Sequence, residues 1–279
     1  MYFFKERPFD VCTQRTTAFI EVVLKRMNVT SPDALAAFCR HASALVGPDG
    51  VLEVCVDESR LCIQCATVCG SVSARYEGTG HADAPLGDIG FVTAGFLSAA
   101  MASFKSGNHL SVRILNDALC MTCTDTASHT TTEWAIPLQM ALESTKTHAL
   151  DAYTSLPRAT TFQCDIRAIS HMVSNSDRVS FKSCASNGPV VFRVPRHHAY
   201  NAGGVGASTR VAPASTGAAF HVTLKWKFLS KAAALLGTAS TPLFGVTQVG
   251  DAVVASATQA HQWRTLVVVR TLDPESEAL

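Results

Sequence analysis

Apolar positions along this chain switch repeatedly between two periods, first steps of three and four and then steps of two. The first pattern marks a helix with one buried stripe and the second marks half-buried strands. The helix-then-hairpin unit recurs four times. In the first unit the spacing predicts a helix over 31–46, with Thr30 or Ser31 as N-cap and Pro32 at the first helical position. Leu35, Phe38, Cys39, Ala42, Leu45 and Val46 form its stripe, and Asp33, Ala37, Arg40 and Ala44 lie on the far side. Gly47-Pro48-Asp49-Gly50 ends it, and strands over 51–56 and 61–68 follow around a polar turn.

The second unit predicts a helix over 93–104 that buries Phe96, Leu97, Ala100, Met101 and Phe104, then strands over 110–115 and 119–124. In the third, a helix over 165–174 turns Ile166, Ile169 and Val173 inward, ahead of strands over 179–184 and 190–194. In the fourth, a helix over 225–236 packs Leu229, Ala232, Ala233 and Leu236, ahead of strands over 243–249, 252–257 and 263–269. Further strands are expected over 18–24, 131–139 and 159–164. Val179 follows Val51 by 128 residues and Leu243 follows Leu110 by 133, so the units pair into two similar halves of ordinary domain size. The expected organisation is an N-terminal extension over 1–17, a domain over 18–139, a polar connector over 140–158 and a second domain over 159–279. Residues 195–217, rich in glycine and without periodicity, are expected to form a mobile loop.

Composition narrows the class. With 47% hydrophobic and 16% charged residues the 279-residue chain can build real cores. A net charge of +1 does not announce a nucleic-acid binder, so such a role requires cations gathered on one surface. No run is long and apolar enough to span a bilayer. The ten cysteines include Cys62-Ile-Gln-Cys65 and Cys120-Met-Thr-Cys123, but both pairs fall in strands, where positions three apart face opposite sides. Reduced, mostly buried thiols of a cytosolic or nuclear protein are expected there, with no metal and no cofactor. His197 and His198 belong to the polar loop and are expected to be solvated. No phosphate-cradling glycine loop, no His-Glu-x-x-His and no Gly-x-Ser-x-Gly occurs, which disfavours an enzyme.

Phe220-His-Val-Thr-Leu-Lys-Trp-Lys-Phe-Leu-Ser-Lys-Ala, followed by the segments 242–249, 252–257 and 266–274, resembles the last helix, hairpin and terminal strand of the proliferating cell nuclear antigen superfamily of sliding clamps. Residues 162–184, with Asp177-Arg-Val-Ser-Phe, are similar to its third unit, and Val56-Asp-Glu-Ser-Arg-Leu-Cys-Ile-Gln-Cys to its first hairpin. The likeness covers residues 18–274, through pattern more than through signatures. The resemblance implies an α+β chain of two DNA-clamp domains, with helices on one side of curved antiparallel sheets, as a non-catalytic subunit of a three-subunit ring. Its partners would be two other clamp subunits, a clamp loader, double-stranded DNA held without sequence specificity, and repair or polymerase proteins bound through short peptides, with no membrane.

On the helices the DNA-facing candidates are Arg40, Lys105, Arg167, His171, Lys225, Lys227 and Lys231. Beside the connector, Leu142, Leu150, Tyr153 and Leu156 are the candidates for partner binding, and a plain tether is the competing reading of that segment. Near-neutral charge, the extension and the tail Leu272-Asp-Pro-Glu-Ser-Glu favour a nuclear, heterotrimeric checkpoint-clamp subunit acting in DNA damage signalling and repair. A replicative or viral polymerase processivity clamp is the alternative. A scaffold of the same fold that has lost its hold on DNA is a third.

Overall fold

The computed structural model describes residues 26–57, 59–82, 88–115, 117–140, 147–173, 177–194, 207–212, 215–237, 241–259 and 262–272. The chain is α+β, with few helices and antiparallel strand pairing throughout the described residues. The expected strand over 18–24, the extension over 1–17, Leu142 and the histidine pair 197–198 lie outside the described residues.

The first half runs β1 (Met27–Val29), α1 (Pro32–Val46), β2 (Val51–Asp57), β3 (Arg60–Ala66), β4 (Val72–Ala82), β5 (Asp88–Thr93), α2 (Ala94–Ala102), β6 (His109–Leu115), β7 (Ala118–Thr124), β8 (Thr131–Pro137) and the short β9 (Gln139–Met140). Between the halves stands α3 (Thr147–Ser155). The second half runs β10 (Arg158–Gln163), α4 (Ile166–Ile169) with a 3-10 turn at Ser170–Met172, β11 (Arg178–Ser183), β12 (Val190–Val194), β13 (Ala207–Ala212), β14 (Thr216–Gly217), β15 (Phe220–Lys225), α5 (Trp226–Leu235), β16 (Leu243–Thr247), β17 (Ala252–Gln259) and β18 (Trp263–Arg270).

Strand pairing repeats between the halves. β2 pairs with β3 and β5, and β3 with β4; correspondingly β11 pairs with β12 and β15, and β12 with β13. β6 joins β1 and β7, and β7 joins β8; correspondingly β16 joins β10 and β17, and β17 joins β18. The halves meet where β18 lies along β4 over seven residue pairs, Trp263↔Gly78 to Val269↔Val72. This seam fuses most strands into one 14-stranded sheet, and β13-β12-β11-β15 form a separate four-stranded sheet. Within the described residues β8 and β13 end their sheets.

One side of the large sheet carries the core. Val54, Ile63, Tyr76, Val267 and Val269 are fully or almost fully buried there, packed with Phe38 and Leu35 of α1 and Leu229 of α5. Strand alternation sends Glu53, Gln64 and Arg75 to the opposite side. There α3 lies on Ala252, Val254 and Val268 through Leu150. In the second half Phe162, Phe181, Phe192 and Phe244 stack with ring centroids 5.3 to 6.2 Å apart.

The structure corrects several local expectations. The third helix is one α turn and a 3-10 turn, because the Ser170 hydroxyl donates to the Arg167 carbonyl at 2.8 Å and competes with helix continuation. Phe96 is 57% exposed, since Ala94, Leu97, Ala100 and Met101 occupy the inward face of α2 and leave it on the other side. The connector contains α3. The expected loop over 195–217 includes β13 and β14. Strands β4 and β5 escape a periodicity reading because glycine interrupts them. Gly78 lies under the Tyr76 ring and Gly80 against Met27 and the Asn28 carbonyl, spaces that a Cβ would invade.

Candidate nucleic-acid interface

Opposite α3, the helices pack neighbour to neighbour in the order α2, α1, α5, α4. α1 and α5 are amphipathic, α2 is apolar nearly all round, and each leaves one row of side chains in solvent. Across the row the exposed cations are Arg40 on α1, Arg167 on α4 and Lys227 and Lys231 on α5. Acids on these helices and their caps are confined to Asp33 and Asp165.

The two lysines, four residues apart, share one face of α5. Lys231 Nζ reaches the Ala44 carbonyl of α1 at 3.5 Å and so bridges two helices. Lys227 Nζ sits 5.2 Å from the Phe228 ring centroid. The Arg40 Nε donates to the Ala36 carbonyl one turn back, at 3.4 Å. Asp165 accepts from the Arg167 N–H at 3.0 Å and caps the single turn of α4, and His171 is exposed on the following 3-10 turn.

Two candidates fall elsewhere. Lys225 is the last residue of β15, paired with Arg178 of β11, so strand alternation places it with Thr223 and His221 on the sheet and off the α5 face. Lys105 follows α2 in an irregular segment, where Ser106 donates to Asp33 at 3.0 Å. Its charge acts on Asp125, whose carboxyl is held below the usual range first by the Ala127 and Ser128 N–H groups and lastly by Lys105. Lys105 therefore lies near an acid, as Arg167 does beside Asp165.

A cleft of about 250 Å³ opens between α1, α4 and α5, with His41, Arg167, Ser170, Trp226 and Ser230 on its walls. His41 is the participant that the sequence pattern does not single out. Burial, then Arg40, then Arg167 press its pKa below 6.5, so the neutral imidazole is favoured and an arriving anion would relieve both cationic repulsions. The two serine hydroxyls on its walls each donate to a carbonyl one turn back, Ser170 to Arg167 at 2.8 Å and Ser230 to Lys227 at 3.2 Å.

On the far side, Leu150 is buried beneath α3 and is consumed as its internal anchor. Tyr153 is half-buried, with the Arg270 guanidinium 5.6 Å from its ring centroid, and Leu156 is 38% exposed. A polar chain crosses this face. The Gln64 amide donates to Glu53 at 3.0 Å, the Arg75 Nε donates to Gln64 at 3.1 Å, and Arg75 Nη1 meets Asp151 of α3 at 2.7 Å.

The cysteines divide as strand alternation requires. Cys65 and Cys123 are buried, while Cys62 and Cys120 are on the half-exposed side. Burial pushes the Cys62 thiol up to about 12. Among the described residues no group of three or more His, Cys, Asp or Glu is placed to hold a metal ion. No described helix is long and apolar enough to cross a membrane. No family model matches the chain, and no curated protein matches it.

Proposed function

We propose that this chain is a non-catalytic subunit of a ring-shaped DNA sliding clamp. The observation that carries the reading is the repeated pairing scheme and the place where it stops. Within the chain the last strand of the second half, β18, pairs with the fourth strand of the first half, β4. The equivalent partners, β8 and β13, are both edges. Joining β8 of one copy or relative to β13 of the next repeats the internal seam, and a head-to-tail contact repeated by a fixed rotation closes into a ring. Exposed strand edges are costly to leave open, which favours that closure.

Such a ring carries its helices on one side. Arg40, His41, Arg167, Lys227 and Lys231 then form a wall against which duplex phosphates rest without base readout, and contacts of that kind permit sliding. The near-neutral charge and the acidic tail favour a nuclear checkpoint clamp made with two related chains, loaded at damaged DNA by a clamp loader and recruiting repair and signalling proteins. A replicative or viral processivity clamp is the second reading, and self-association without companions distinguishes it. Joint replacement Arg167→Ala, Lys227→Ala and Lys231→Ala is expected to shorten retention of the assembled ring on circular DNA in low salt while assembly persists. Unchanged retention contradicts the reading.

A further inference from the structure

Charge is distributed unevenly along this sequence. From Arg178 to Gly250 there are eight Lys and Arg and no Asp or Glu, in a chain that totals 23 basic and 22 acidic residues. Only part of that excess belongs to the helix wall. Arg178, Lys182, Arg193, Arg210 and Lys225 lie on the four-stranded sheet, whose inward face is Val179, Phe181, Phe192, Val222 and Leu224, all buried. Alternation therefore turns Arg178, Lys182, Arg193, Arg210, His221 and Lys225 to the other side, away from the helices.

Register orders these groups. His221 of β15 pairs with Lys182 of β11, which pairs with Val191 of β12, which pairs with Arg210 of β13. The next row is Thr223, Ser180, Arg193 and Ser208, and the third brings Lys225 opposite Arg178. Strands stand about 4.8 Å apart and same-face residues about 6.6 Å apart along a strand, so cations recur over a patch roughly 14 Å wide. A shallow depression of about 110 Å³ lies between β11 and β12, with Lys182 and Arg193 on its walls beside Cys184 and Pro189. The nearest acid in sequence, Asp177, stops where β11 begins.

We infer that this outward sheet face is a second nucleic-acid-binding surface, which holds a phosphate backbone without reading bases. The occupant follows from what accompanies the cations. Thr223 and Ser208 interleave with them and supply hydroxyl donors of the kind that contact phosphate. Apolar groups on this face are confined to the small depression, where Val191 meets Ala185 and Pro189 between Lys182 and Arg193, a patch far smaller than the apolar centre of a protein interface or the apolar wedge of a membrane-surface element. None of these positions is aromatic, so bases find no stacking platform. Because the face lies on the opposite side from the helices, the inference stands independently of the ring.

Fluorescence anisotropy with a short labelled DNA duplex and with a single strand of one of its sequences tests it on the full chain. Lys182→Gln, Arg193→Gln and Arg210→Gln together are expected to weaken binding at least about tenfold at low salt. They should also flatten log K against log salt by about 0.9 for each phosphate no longer neutralised on duplex, and by about 0.7 on single strand. A thermal midpoint equal to the parent's shows that the outward substitutions leave the fold intact. If it falls, Lys182→Arg with Arg193→Lys, which keep the charge, must restore binding. Unchanged DNA affinity in the glutamine variant overturns the inference. So does a fall in DNA binding seen only in the Arg167, Lys227 and Lys231 variant. Weaker binding to phosphatidylserine vesicles with DNA affinity intact overturns it in favour of a membrane.

Discussion

His41 lies where cationic groups of two helices meet, and its titration reports on that crowding. Its folded-state pKa is below 6.5, through burial first and then Arg40 and Arg167. As pH falls beneath 6.5 the unfolded chain takes up a proton that the folded chain resists, so stability present above that pH is lost on acidification through the lowered folded value. The melting temperature is expected to fall with acid in the parent, with a shallower decline for His41→Gln; identical slopes contradict the assignment. A bound phosphate reverses the penalty, so duplex binding should strengthen on acidification more in the parent than in the variant. Arg40 and Arg167 are legible as helix cations from the hydrophobic stripe alone. His41 is not, because its importance depends on α4 arriving beside α1, a contact between residues far apart in sequence. Lys225 escapes a sequence reading for a related reason, since one residue separates the end of a strand from the start of a helix and decides which surface receives the charge.

Among elements, α3 is the one whose attachment is most specific. Leu150 in its apolar seat and the Arg75–Asp151 contact at 2.7 Å hold it to the sheet, with Tyr153 against Arg270 at the margin. Leu150→Ala removes the buried anchor at a cost of about 2–4 kcal/mol. Hydrogen exchange should then rise across 150–155 while β17 and β18 stay protected; equal acceleration in the strands contradicts a separable latch. Gln64→Leu breaks the chain from Glu53 to Arg75 inside the sheet and should destabilise the whole fold by about 1–3 kcal/mol, measured by denaturant unfolding. Long helices and hairpins with clean alternation are readable in advance, as α1 and the β6–β7 pair illustrate. The α3 helix is hidden because its stripe is so short. Strands β4 and β5 are hidden because glycines chosen for close packing erase the alternation.

At the scale of the molecule, a nearly neutral chain presents two cationic surfaces on opposite sides, with the compensating acids elsewhere. The duplication is legible from the 128- and 133-residue offsets, but strand order is not, since no local pattern dictates that β18 meets β4. That seam is what makes β8 and β13 a matched pair of open edges. Purified with its companions, the protein should appear in negative-stain electron microscopy as closed rings of three subunits with pseudo-sixfold outline and a central hole wide enough for duplex DNA. Compact monomers, or two-fold dimers joined through any surface other than β8 and β13, would contradict the clamp.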